Sequence, residues 1–340
     1  MEEKKLLTVS ASPHAKAPAT TRSIMLDVII ALLPAGIAGV AIFGLRALAV
    51  IAVCVGCCVL FEFLSGKVMK RPLSIGDLSA VVTGLLLAYN LPVTVPLWMC
   101  AIGAFVAIVI VKMLFGGIGQ NFANPAITAR IVLLVSFAGA MTNFTAPRAL
   151  DAVTTATPLA ALGGIDRAGD IPAQLAASDL PDLLKMLFGV RGGCIGEVCA
   201  AALLLGGVYL LIRRVISFVI PVSFIGTVAV LMFILSRGSV TYTLYELLGG
   251  GLLLGAIFMA TDYSTTPINT LGKLVFGVGC GLVTTVIRLY CSLPEGVSYS
   301  ILLMNVLAPT IERFTAPKYF GYVKQKKEKK AKKEKEAAAV

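Results

Sequence analysis

Apolar runs dominate this chain, and polar interruptions divide them into ten segments. They lie near residues 24–44, 47–65, 77–90, 96–114, 125–141, 194–212, 216–236, 246–261, 272–290 and 297–313. Most approach the ~20 apolar residues that a helix needs to cross a bilayer. The pattern predicts an all-α, polytopic membrane protein with about ten transmembrane helices.

Two of these segments are expected to be broken. Gly84-Leu85-Leu86-Leu87 leads to Asn90-Leu91-Pro92-Val93-Thr94-Val95-Pro96, and Gly251-Leu252-Leu253-Leu254 leads to Asp262-Tyr263-Ser264-Thr265-Thr266-Pro267. Each lead-in holds only about 12–16 apolar residues, short for a full span, and the prolines end the helix. Irregular backbone at membrane depth survives only where protein or a water-filled cavity surrounds it. The third and eighth segments are therefore predicted to define a central pathway.

Polar punctuation divides the chain further. Residues 1–22 form an N-terminal arm, 23–141 a first five-helix half, 142–193 a connection, 194–316 a second half and 317–340 a basic tail. The apolar run after the arm is too long for a signal peptide and lacks a clear cleavage site. Lys4, Lys5, Lys16, Arg22, Lys67, Lys70, Arg71, Lys112, Arg213, Arg214, Lys273 and the tail all fall on one side of a ten-helix path. Basic loops stay in the cytoplasm, so both termini are expected there and the 142–193 loop outside. Five spans per half put the halves in opposite orientations, as an inverted repeat requires. The connection is too long for a turn. Its stretch from Ile171 to Phe188 reads as an interfacial amphipathic helix kinked or restarted at Asp179-Leu180-Pro181.

Composition agrees. Of 340 residues, 58% are hydrophobic and 14% charged, against about 25% charged in soluble domains. The tail from Lys318 to Glu336 has nine lysines and three glutamates, supplying +6 of the net +11. With few aromatics among them it suits anionic lipid, not nucleic acid. Among the eight cysteines, Cys54-x-x-Cys57-Cys58 has a metal-like spacing but no second pair. It reads as helix packing. No metal site is expected.

Outside the membrane, Asp151-Ala152-Val153-Thr154-Thr155-Ala156-Thr157-Pro158-Leu159 is a row of small hydroxyl residues. By itself it is a loop pattern with a turn or helix start at Thr-Pro. Three longer stretches give it meaning: Asn90-Leu91-Pro92 through Pro96-Leu97-Trp98, Gly116-Gly117-Ile118-Gly119-Gln120-Asn121-Phe122-Ala123-Asn124-Pro125-Ala126, and Ala260-Thr261-Asp262-Tyr263-Ser264-Thr265-Thr266-Pro267. With Pro72 to Asp77 they resemble the D subunits of Rnf ion-translocating oxidoreductase complexes. They are similar, more distantly, to the B subunits of sodium-pumping NADH:quinone reductases. The likeness covers nearly all of residues 20–320, and the short N-terminal arm favours the Rnf branch.

The resemblance implies FMN esterified through its phosphate to the last threonine of Asp-x-x-[Ser/Thr]-[Gly/Ser]-Ala-Thr. Here that is Thr157, with Asp151 and Thr154 read by the attaching enzyme. Thr155 replaces the usual Gly or Ser but stays small and hydroxylic. A threonine hydroxyl is a poor nucleophile without a base, and no His or Cys stands nearby, so a separate flavin transferase is expected. Arg148 is a candidate to neutralise the phosphodiester, or else a solvated loop charge. A phosphate-bearing flavin belongs at the aqueous edge of the bundle, because its charge is costly in hydrocarbon. The related quinone reductase subunit also holds riboflavin, a second flavin to look for here.

Gly116 to Gly119 lacks the Lys-Ser/Thr of a nucleotide loop and reads as a close-packed turn. Asp262, with Thr265 and Thr266, offers hard oxygen ligands for a monovalent cation or a proton at the second break. Alternatively it caps the next helix. Asp27 is expected to be solvated at the interface.

The functional expectation is a membrane flavoprotein subunit that relays electrons in a ferredoxin:NAD+ oxidoreductase coupled to Na+ or H+ export. Its partners would be the other Rnf subunits, including a second covalent-FMN subunit and iron–sulfur subunits, in the bacterial cytoplasmic membrane. The alternatives are the quinone-reductase subunit itself and a non-redox inverted-repeat channel or transporter.

Overall fold

The computed structural model describes residues 19–71, 74–145, 157–165, 169, 171–178, 180–189, 191–291 and 295–317. Every regular element among them is helical: α1 (Thr21–Phe43), α2 (Leu45–Val68), α3 (Ser79–Tyr89), α4 (Leu97–Met113), α5 (Pro125–Ser136), α6 (Pro158–Gly163) and α7 (Ile171–Ala177). There follow α8 (Leu183–Phe188), α9 (Ala200–Ile212), α10 (Val219–Leu235), α11 (Val240–Leu248), α12 (Leu252–Met259), α13 (Thr270–Tyr290) and α14 (Val297–Thr315).

Three helices, α1, α2 and α13, are long and apolar enough to cross a membrane, and the α11–α12 pair becomes a fourth span if its 64° bend is counted within one segment. Starts are set by local chemistry. The Thr20 hydroxyl accepts from Ser23 N while Ser23 Oγ accepts from Thr20 N, a capping box that opens α1. Asn124 caps α5 ahead of Pro125 at the first helical position. The second half of α4, Val106–Met113, winds in π register.

Three boundaries differ from the sequence expectation. The apolar pattern places the sixth segment from residue 194, but its helix starts at Ala200. The residues before it run irregularly beside the end of α3, where Ile195 N donates to Leu91 O (3.1 Å) and Gly196 N to Tyr89 O (3.0 Å). The end of α3 frees carbonyls that hydrocarbon cannot satisfy, and this irregular strip satisfies them. The eighth segment starts earlier, at Val240 under a Ser239 cap, and breaks at Gly249–Gly251. The fifth stops at Ser136 and restarts for one turn, Ala138–Met141. The connection does restart where expected, with α7 and α8 separated around Pro181.

Close approaches hold the bundle. A β-carbon on Gly277 or Gly281 of α13 would collide with Ser223 or Thr227 and backbone carbonyls of α10, and one on Gly84 would meet the α2 backbone at Val55. Small residues let membrane helices touch where lipid offers no hydrophobic drive to associate. Cys54, Cys58, Cys100 and Cys280 are buried free thiols in these helices, as packing residues would be.

The 23 residues of α1 rise about 35 Å and give the bundle two ends. At the Phe43 end, Ile42 lies against Gly189, and Arg46 Nη2 donates to Val95 O (3.1 Å). The Thr21 end holds the Asp262 turn.

Candidate functional site

The two broken segments meet inside the bundle. Asn90, at the end of α3, donates to Leu86 O (2.7 Å) and lies 3.3 Å from Met259 Sδ at the end of α12. Asn124 Nδ2 donates to Met259 O (3.1 Å). The Asn305 amide, turned to satisfy both neighbours, donates to Thr265 O (3.2 Å) and accepts from Asn124 N (3.1 Å). Three asparagines thus hold the irregular backbone that hydrocarbon would not tolerate.

Arg130 of α5 sits against the same junction, 4% exposed. Its Nη1 donates to Asn90 Oδ1 (2.9 Å) and Ser298 Oγ (3.0 Å), and its Nη2 pairs with Glu295 and approaches Cys194 Sγ (3.8 Å). Cys194, Glu197 and Glu295 bring their ligand atoms within 4.8 Å of one another. The Arg130 guanidinium engages two of the three, Glu295 and Cys194, in an ion-pair node.

Toward the Phe43 end, two more buried arginines clamp the Gly249–Gly251 break. Arg191 donates to Leu248 O and Glu197 O, both at 2.6 Å. Arg288 donates to Glu246 O (2.7 Å), Glu246 Oε2 (3.0 Å) and Gly249 O (3.2 Å). A helix end leaves four carbonyls without partners, and here guanidinium groups serve them. The three arginines and the carboxylates of Glu197, Glu246 and Glu295 balance in formal charge.

Thr157 lies two residues before Leu159, which reaches the clamped break. It is the N-cap of α6, half-buried, and its Oγ1 accepts from Ala160 N (3.2 Å). Esterification removes the hydroxyl hydrogen and leaves an oxygen that still accepts, so the cap and a phosphoester are compatible. Leu159, two residues on, is buried against Gly249 and Gly250. Arg148, Asp151, Thr154 and Thr155 lie outside the described residues.

At the Thr21 end a cavity of about 450 Å³ opens between α1, α3 and the Asp262 turn. Lys112, Ser79, Asn121, Asn124 and Asp262 supply its polar lining, and Val82, Leu86 and Phe258 its apolar walls. The sequence places Lys112 at the end of the fourth span, among the basic residues of the cytoplasmic side, where water would be at hand. It is instead 2% exposed, paired with Glu62 Oε1 (2.8 Å) and donating to Ser79 Oγ (2.6 Å), with Ser74 also on Glu62. A charge this far from water needs a partner in protein. Asp27, also expected to be solvated, is buried and accepts from Tyr209 Oη (2.8 Å) and Arg213 Nη2 (3.3 Å).

Asp262 itself folds a turn. Its carboxylate accepts from Ser264 Oγ (3.1 Å) and Thr265 Oγ1 (3.4 Å), while Thr266 Oγ1 donates to its carbonyl (2.7 Å). The residue at the N-cap of the following helix is Asn269, so the capping alternative for Asp262 does not hold.

Sequence reasoning misses Glu62, Glu197, Glu246, Arg191, Glu295 and Arg288. The available signal is a charge inside or at the edge of an apolar segment, which marks a functional or paired group in a membrane protein.

The sequence profile of the NQR2, RnfD, RnfE family matches residues 8–321. The chain belongs to this family. It is 47% identical to the D subunit of the Na(+)-translocating ferredoxin:NAD(+) oxidoreductase complex of Acetobacterium woodii, over 96% of this chain and 98% of that protein. It is 42% identical to the D subunit of the proton-translocating ferredoxin:NAD(+) oxidoreductase complex of Clostridium ljungdahlii, over 94% and 97%. With the D subunit of the ion-translocating oxidoreductase complex of Halorhodospira halophila the figures are 35%, 92% and 94%. The family and the apolar helices together make it a membrane protein.

Proposed function

We propose that this chain is the D-type subunit of a redox-driven, ion-translocating ferredoxin:NAD+ oxidoreductase, and that it carries FMN esterified to Thr157. The observation that carries the reading is near-complete, end-to-end similarity to the D subunits of two such complexes. Those two relatives move different ions, Na+ in one and protons in the other. The coupling ion is therefore assigned only as a monovalent cation or proton.

Bound at Thr157, FMN would supply electron transfer, and the protein would supply position and electrostatics. A half-buried hydroxyl that accepts in a cap, two residues before a leucine seated on the clamped break, suits a phosphoester at the bundle's edge. Arg148, Asp151, Thr154 and Thr155 complete the attachment segment in this reading, and a dedicated transferase makes the bond. The cavity at the Thr21 end is of a size and mixed polarity that suits a second ring system, for which riboflavin is the candidate. Asp262, Thr265 and Thr266 beside it are assigned to the ion pathway.

In this reading ten membrane segments form two inverted five-helix halves, with both termini cytoplasmic and the Thr157 loop outside. Neighbouring subunits of the complex, with a second covalent FMN and iron–sulfur centres, exchange electrons with this one.

The deciding experiment is in-gel fluorescence of the denatured chain, matured with its transferase, and mass spectrometry of the 149–167 peptide. A fluorescent native band, an FMN mass on that peptide and a dark Thr157→Ala band are expected. A dark native band would favour the non-redox channel. Non-covalent flavin released on denaturation reports the second carrier, and its absence removes the riboflavin assignment.

A further inference from the structure

The loop bearing Thr157 touches the membrane bundle at an unusual place. Leu159 is 4% exposed, although it sits in a six-residue helix of the connection. Its Cδ2 lies where a β-carbon on Gly250 would stand 3.1 Å away, and its Cδ1 is 3.5 Å from the same position on Gly249. Arg288 Nη2 would be 3.2 Å from the same β-carbon. Gly250 has φ +63°, a left-handed conformation that disfavours side chains. Two glycines in succession therefore bare the backbone of the broken helix, and a leucine from the loop fills the space they leave.

Arg288 holds Glu246 O and Gly249 O, and Arg191 holds Leu248 O. Leu159 thus rests on a stretch whose carbonyls are tied to two buried guanidinium groups. Thr157 is two residues away, so its backbone lies within about 7 Å of the leucine's. A phosphate-tethered ring has several freely rotating bonds, and the attachment residue must be fixed for the ring to face its electron donor reproducibly.

We propose that Leu159, seated on Gly249 and Gly250 above Arg288, is the positioning contact that registers the Thr157 attachment point on the membrane bundle. This inference rests on the flavin reading above. Leu159 touches no reacting atom. It acts through the loop backbone, and the glycine pair is its socket.

The test compares purified, flavin-loaded complexes carrying Leu159→Ala, Gly250→Ala, Leu159→Met and, as a packing control, Leu162→Ala. Leu162 is equally buried in α6 and lies outside the contact with the glycines. The quantity read is the rate of reduction of the Thr157-bound flavin, per covalent flavin, by stopped-flow absorbance. Misplacement by 1 Å can cost on the order of 10²-fold where geometry governs a rate. Leu159→Ala and Gly250→Ala, which disturb the socket from opposite sides, are expected to lose roughly tenfold or more, with covalent flavin within about twofold of native. Leu159→Met is expected to restore most of the rate. Leu162→Ala is expected to lower the yield of complex and leave the rate per flavin unchanged.

An unchanged rate per flavin in Leu159→Ala overturns the inference, as does an equal loss in Leu162→Ala. Should Leu159→Ala fail to assemble, Leu159→Val carries the same comparison. Absence of covalent flavin from the native chain, or its persistence in Thr157→Ala, would sink the underlying flavin reading instead.

Discussion

Replacing Arg288 with methionine isolates the clamp on the broken helix. The side chain donates to two backbone carbonyls, at 2.7 and 3.2 Å, and to the Glu246 carboxylate at 3.0 Å. Both partners of the ion pair are almost fully buried, at 1% and 4% side-chain exposure. Arg288→Met leaves a buried carboxylate unpaired, which costs about 3–5 kcal/mol. It also strands two carbonyls at roughly 1–3 kcal/mol each. The sum exceeds about 5 kcal/mol. With about 2.1 cal/mol/K of unfolding entropy per residue, a chain of 340 residues shifts by roughly 1.4 °C per kcal/mol, so the thermal midpoint in detergent should fall by at least about 7 °C. Arg288→Met combined with Glu246→Gln removes the unpaired charge but not the stranded carbonyls, so it should recover about half of the loss. Midpoints of native, single and double variants, followed by fluorescence or aggregation, decide the matter. A double variant as unstable as Arg288→Met would refute the ion-pair part of the account. A single variant of native stability would refute the clamp altogether.

Lys112→Met should cost about 3–5 kcal/mol in the same thermal assay, because it abandons the Glu62 carboxylate, whose Oε2 has no hydrogen bond even in the native chain. Adding Glu62→Leu should return most of it. Gly281→Val is expected to push α13 from α10, since a β-carbon there would stand 2.6 Å from Thr227 Cβ and 2.9 Å from Phe224 O. The cost is about 1–3 kcal/mol, while Gly56→Val, facing open space, should leave the midpoint within about 1 °C. Asp262→Asn keeps an acceptor for the Ser264 turn but removes the negative charge. Cation-stimulated electron transfer by the complex should need at least roughly tenfold more cation, and an unchanged titration would remove Asp262 from the ion pathway.

What the sequence alone determined follows from local physics. Apolar length sets α1, α2 and α13 within a few residues of expectation, because hydrocarbon demands a continuous helix. Proline and polar residues after Tyr89 and Ala260 mark the ends of α3 and α12, whereas the break at Gly249–Gly251 falls inside a stretch with no such mark. Thr157-Pro158 announces a cap and a helix start, and α6 begins there. The partners of the buried charges were not legible. Lys112 meets Glu62 across 50 residues, Arg288 meets Glu246 across 42, and Arg130 meets Ser298 across 168. No periodicity spans such distances. Which arginine finds which carbonyl depends on where a broken helix exposes its end once the bundle closes. The same cause moved the start of the sixth helix to Ala200: residues before it were drawn off to serve the end of α3, a demand that exists only in three dimensions.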